Sequence, residues 1–259
     1  MSGRRAREWE QRMQRRRRDE RGRALLDVLL DGRAVPGLAR RTAACLGLPE
    51  RGRYAVAVLG ADRGDPVRPA PVRWALDTDG MRWCWRTRAD CEIAVVALGE
   101  GSLAAPAALL AERRAGPAGL SPVVDGLAEL GLARRLAGFA LLTCAPRARE
   151  IVRLDERLST ALVVSRPELS ARLVSEVFGP LLALAPSERT PLVETLEAWL
   201  ECGGSVSRAA KRLHCHRNTV FNRLRRLEGL TARSLSVPRE LTEVMLALDA
   251  FRLPPPSRP

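Results

Sequence analysis

The stretch GGSVSRAAKRLHCHRNTVFNRLRRLEGLT, residues 203–231, constrains this chain more than any other. After Ser205, a residue suited to capping, Val206, Ala209, Ala210 and Leu213 recur at spacings of three and four, the signature of one helix face. His214-Cys215-His216 interrupts that pattern. A second helix is predicted from Arg217 to about Glu228, with Val220, Leu224 and Leu227 on its apolar side. Ala209 and Ala210 are small where two helices must cross at close range. A short helix, a three-residue turn and a second helix make a helix-turn-helix centred on residues 205–227, an arrangement whose second helix fits the major groove of duplex DNA.

The face opposite Val220, Leu224 and Leu227 holds Asn218, Asn222, Arg225 and Arg226, flanked by Thr219 and Phe221. Asn pairs with the N6 and N7 of adenine, and Arg with the O6 and N7 of guanine. His216, Arg217, Asn218 and Thr219 stand at the amino end, where such helices meet base edges and where backbone N–H groups favour phosphate. The candidate DNA-binding residues are therefore His216, Arg217, Asn218, Thr219, Asn222, Arg223, Arg225 and Arg226, with Arg208 and Lys211 of the preceding helix on the phosphates. No catalytic residue and no metal ligand is assigned.

The charge distribution agrees. The net formal charge of +13 is concentrated in two segments. Residues 1–23 carry ten Arg against Glu8, Glu10, Asp19 and Glu20. Residues 203–230 carry Arg208, Lys211, Arg212, Arg217, Arg223, Arg225 and Arg226 against Glu228 alone. Concentrated basic segments on a nearly neutral body are what a polyanion binder needs. Residues 1–23 read as a flexible arm or loosely held helix, either a phosphate clamp or a solvated tail. Lys211 is the lone lysine, so arginine richness by itself says little about function.

Between these segments the pattern is mixed. Two short helices are expected in residues 24–48, split at Pro36-Gly37. Tyr54–Leu59 (YAVAVL) reads as a buried strand, with Met81–Trp85 and Cys91–Leu98 as two more joined through Arg86–Asp90. A short helix is expected at Val72–Leu76, others at Pro106–Arg114 and Val123–Ala137, and a last strand at Phe139–Cys144, an α/β sandwich. Beyond Pro146 the pattern is wholly helical: Glu150–Val164, Pro167–Phe178 ended by Gly179-Pro180, a helix opened by Thr190-Pro191, and one from about Pro238. The tail LPPPSRP reads as disordered. The expected division is an arm at 1–23, an α/β domain at 24–146, a helical linker at 147–185, a DNA-binding domain at 186–253 and a tail at 254–259.

The stretch TPLVETLEAWLECGGSVSRAAKRLHCHRNTVFNRLRRLEGLT, followed by LTEVMLALDAFRL, resembles the C-terminal DNA-binding domain of PucR/CdaR-type bacterial transcriptional regulators. The residues that carry the likeness are Thr195-Leu196, Ala209-Ala210 with Leu213, His216-Arg217-Asn218-Thr219-Val220 with Arg223-Leu224, and Ala247-Leu248. Asn222 stands where that family often has Tyr. Leu38–Leu98, Ser121–Cys144 and Phe178-Gly179-Pro180-Leu181 resemble the degenerate GGDEF-like domain of the same regulators. The resemblance implies an α/β plus all-α chain, in which a degenerate GGDEF-like α/β sandwich precedes a helical helix-turn-helix domain. It implies double-stranded DNA as partner, a homodimer or higher homo-oligomer, no cofactor, and an effector that the residues do not name.

Rival readings are weaker. The hairpin Arg86–Asp90 has neither the glycines nor the paired carboxylates of a nucleotide cyclase, so the chain is expected not to be an enzyme. A protein-interaction module whose helix-turn-helix no longer binds DNA is the remaining alternative. Cys202, His214, Cys215 and His216 do not follow the spacing of a structural zinc site. Trp74, Trp83 and Trp85 fit sheet packing better than a ligand pocket. No apolar run reaches the length of a membrane helix and the amino terminus is not a signal peptide, so a cytoplasmic, nucleoid-associated protein is expected.

Overall fold

The computed structural model describes residues 2–33, 35–60, 81–112, 117–145 and 148–252, and gives only the backbone path of 2–12, 15 and 16. The chain separates into two compact units, 1–161 and 162–259. The first is mixed α/β and the second is all-helical.

The first unit is organised by β1 (Arg51–Gly60). Its Val-rich run is buried on both faces, so apolar residues follow one another without alternation. Tyr54, Val56 and Val58 belong to one core with Ile93 and Val95, and Ala57 and Leu59 to another with Ala94 and Leu110. The strand pairs antiparallel with β3 (Cys91–Ala97), which pairs with β2 (Arg82–Thr87) as the expected hairpin. On its other side β1 meets β4 (Ala118–Leu120) and β5 (Val124–Gly126), and β4 runs parallel to β6 (Ile151–Arg153). The principal strand order is β2-β3-β1-β4-β6.

Helices α1 (Ser2–Leu30), α2 (Leu38–Leu46) and α4 (Leu130–Leu142) cover the Tyr54 side, while α3 (Ala104–Glu112) supplies Leu110 to the other. The Arg-rich segment is thus the start of a 29-residue helix whose last turns bury Leu26, Leu29 and Leu30. Two close approaches set the packing of α4. A Cβ on Gly119 would lie 2.1 Å from the Ala137 carbonyl oxygen, and one on Gly131 would lie 2.4 Å from the Gly32 Cα.

Several expected elements are corrected. Phe139–Cys144 is not a strand; residues through Leu142 continue α4, because a short apolar run has no period that separates strand from buried helix. The expected helix from Val123 begins instead as β5 and a 3-10 turn, with α4 starting at Leu130. Glu150–Val164 is likewise not one helix. Its first residues form β6 against β4, and α5 (Leu158–Ser165) starts only after a second 3-10 turn. Glu150 explains the break: its carboxylate binds Arg157 at 2.6 Å and accepts the Ala145 N–H at 2.8 Å. The expected helix at Val72–Leu76, Trp74 and the tail lie outside the described residues.

In the second unit α6 (Pro167–Leu182) runs through Pro180, because Phe178 and Leu181 on either side of it are fully buried. That burial outweighs a proline cost of about 3 kcal/mol. Helix α7 (Pro186–Glu201) opens at Pro186, one turn before the expected Thr190-Pro191. Pro186 takes the first helical position, where no N–H is needed. Gly203 and Gly204, both at positive φ, then stop α7 as expected. Helices α8 (Val206–Arg212), α9 (Arg217–Thr231) and α10 (Pro238–Arg252) complete the unit around a core of Val177, Phe178, Leu196, Ala209, Val220, Leu227, Val244 and Ala247.

Candidate nucleic-acid interface

The site is built on two caps and one turn. The Ser205 hydroxyl accepts the Arg208 N–H at 3.4 Å and starts α8. The His216 Nδ1 accepts the Asn218 N–H at 3.3 Å and starts α9. Between them His214 sits at φ 49°, a left-handed conformation rarely adopted by a residue with a side chain. The turn brings the buried Ala209 and Ala210 against α9, whose Val220, Leu224, Leu227 and Thr231 are buried on the same core. The face away from that core is presented to solvent: Asn218, Phe221, Asn222 and Arg225 are all exposed. Phe221 is 52% exposed, and on α8 and α9 no other large apolar side chain is.

The sequence-predicted residues do not all share that face. Arg217, Asn218, Asn222 and Arg225 lie on it or at its edge, with Thr219 half-buried beside them. Arg208 and Lys211 are exposed on α8. Arg223 is half-buried and donates to the Thr195 hydroxyl at 3.3 Å, so it is turned towards α7. Arg226 is exposed but ion-paired to Glu188 of α7 at 2.8 Å. Arg212 pairs in the same way with Glu201 at 2.6 Å. Among the described residues Arg208, Lys211, Arg217 and Arg225 make no ion pair. The one carboxylate of 203–230, Glu228, is occupied in accepting the Leu235 N–H at 2.7 Å, which fastens the segment leading to α10.

Sequence reasoning missed these tethers because their partners lie 28 and 38 residues earlier in the chain. The only available signal was the acidic spacing of α7, with Glu188, Glu194, Glu197 and Glu201. Sequence reasoning set Phe221 beside the polar face but gave this exposed ring no role.

In the first unit the side chains of the Arg86–Asp90 hairpin are committed elsewhere. Arg86 donates to Asp27 of α1 at 2.7 Å and Arg88 to Asp31, just past the end of α1, at 3.0 Å. Burial pushes the Tyr54 hydroxyl up to about 12 and the Cys144 thiol up to about 11.

These helices define a helix-turn-helix module. Residues 192–250 match the family of the PucR C-terminal helix-turn-helix domain. Over 81 residues the chain is 36% identical to an uncharacterized protein of Mycobacterium tuberculosis, covering 31% of this chain and 19% of that one. Over 72 residues it is 42% identical to the purine catabolism regulatory protein of Bacillus subtilis, covering 28% of this chain and 14% of that one. Over 102 residues it is 35% identical to an uncharacterized protein of Thermomonospora curvata, covering 39% and 54%. The chain thus spans about a fifth of the length of the mycobacterial relative. A crystal structure of a regulator of polyketide synthase expression from Bifidobacterium adolescentis aligns over 89% of this chain and 92% of its own, with TM-score 0.42 and 21% identity. No helix among the described residues is long and apolar enough to cross a membrane.

Proposed function

We propose that this chain is a non-enzymatic transcriptional regulator that binds specific sites on double-stranded DNA, with α9 in the major groove. The observation that carries the reading is the exposed, carboxylate-free face of α9, held out by the His216 cap and the left-handed turn at His214. Asn218 and Asn222 are placed to meet base edges, and Arg217 and Arg225 are placed to meet base or phosphate. Arg208 and Lys211 are placed for backbone phosphates, as the helix preceding a recognition helix normally is. Arg223 and Arg226 hold α9 against α7 and reach DNA only if those contacts are exchanged.

One helix of this length reads too few base pairs for a unique site, so a homodimer or higher homo-oligomer on a symmetric site is part of the proposal. The mixed α/β unit is a degenerate GGDEF-like platform for self-association or signal input, in a cytoplasmic, nucleoid-bound protein. The test is a titration of the full chain against fluorescent duplex DNA at several salt concentrations. Log affinity is expected to fall linearly with log salt. A flat response between low and physiological ionic strength overturns the DNA-binding reading.

A further inference from the structure

Phe221 has no assigned role, and its surroundings narrow what it can meet. It lies on the second turn of α9, within the part of a recognition helix that reaches bases. With Asn218, Asn222 and Arg225 it completes an exposed i, i+3, i+4, i+7 stripe. That is the spacing by which homeodomain helices read the major groove. Arg223 and Arg226 hold the opposite flank of the helix to α7 through Thr195 and Glu188, leaving Phe221 on the flank turned away from α7. Arg217 and Arg225 stand one turn before and after it, both exposed and both without an ion pair among the described residues.

A phenyl ring between two unpaired guanidinium groups is poorly suited to a second copy of the same face, which would bring four cations together. A single exposed ring is also far smaller than the roughly 800 Å² per partner of a stable protein interface. A polyanion with an apolar group recessed between its phosphates satisfies both features. The only apolar group on the floor of the major groove is the 5-methyl of thymine, which Phe is known to contact.

We propose that Phe221 is a specificity-determining residue that seats against the 5-methyl group of a thymine, next to an adenine held by Asn222. The inference rests on the DNA-reading function above. The two cations beside the ring anchor the flanking phosphates and fix its depth in the groove.

The experiment uses the full chain. A preferred duplex is first selected from a randomised library at near-physiological salt. Each thymine of one half-site is then replaced singly by deoxyuridine, which removes only the methyl, and binding is measured by competition for the wild type, Phe221→Ala and Phe221→Leu. For the wild type, one position is expected to lose roughly threefold to tenfold in affinity, the worth of one buried methyl. That loss should vanish in Phe221→Ala and persist in part in Phe221→Leu, with the other positions unchanged. The inference is overturned if the wild type shows no methyl-dependent position, or if Phe221→Ala keeps every methyl penalty. It is equally overturned if Phe221→Ala weakens selected and random duplexes alike, or changes the oligomeric state instead. A library from which nothing is enriched overturns the DNA-reading function itself; an enriched duplex with penalties indifferent to Phe221 overturns this inference alone.

Discussion

His214 occupies a backbone conformation that suits glycine, and the turn depends on it. His214→Gly should therefore leave the turn intact and relieve strain, raising stability by roughly 0.5–1 kcal/mol, whereas His214→Val should lower it by more than that. Thermal unfolding of the full chain, following the transition of the helical unit, is the check. Two positions later the imidazole of His216 does the work usually given to Ser or Asp. Losing that cap in His216→Ala should cost about 0.5–2 kcal/mol of the same transition. Asn222 and Arg208 separate base reading from charge. Asn222→Ala is expected to cost roughly 1–3 kcal/mol at one base position and almost nothing on random duplex. Arg208→Ala should weaken all sequences alike. Competition against every single-base change of the preferred duplex distinguishes them; a uniform loss from Asn222→Ala would show that another residue reads that base. The helical period made Asn222 legible from sequence. It could not reveal that Arg226, also opposite the core on a helical wheel, is drawn back to Glu188.

The elements differ in how openly the sequence announces them. Ser205, the paired glycines at 203 and 204, and the apolar spacing of α8 and α9 are local signals, and the helix-turn-helix emerged where they put it. Strands β4, β5 and β6 have three residues each, too few for an alternation to register; β4 and β5 exist because β1 offers them an edge, and β6 because β4 does. The helix α4 is fixed by contacts that are invisible in a one-dimensional pattern, chiefly the bare backbones at Gly119 and Gly131. Gly131→Ala should push α1 and α4 apart and destabilise the mixed unit by roughly 1–3 kcal/mol, with Gly119→Ala worse because two backbone atoms of α4 would lie only 2.1 and 2.2 Å from its Cβ. Denaturant titration of each variant reads this directly. At the end of α4, hydrogen bonding from Arg157 holds the Glu150 carboxyl below the usual glutamate range. A lowered folded value means stability that is full above the ordinary glutamate value of about 4.3 and is lost as pH falls through the folded one. Glu150→Gln should accordingly be less stable at neutral pH and show a shallower loss in acid, measured by unfolding midpoints across that range.

At the scale of the whole molecule, sequence alone separated an α/β region from a helical one, and the two compact units confirm that order of fold classes. The cationic charge it found is real but partly spent. With Arg212 and Arg226 paired to α7, four cations per copy remain for phosphates on α8 and α9, so the module should contribute a salt slope of roughly −3 to −4 per copy. Replacing Glu188 and Glu201 together with Gln should free two more and steepen the slope by about 2. An unchanged slope would mean that the tethered arginines never reach the backbone of DNA. The same division of charge also bears on time. Helix α7 carries Glu188, Glu194, Glu197 and Glu201 behind a pair of helices whose cations outnumber their one carboxylate. A body so polarised feels a torque in the field of a nucleic acid before any atom touches. If DNA is the partner proposed above, the helical unit should arrive already turned, α9 foremost, so that collisions otherwise wasted on the wrong side become productive ones.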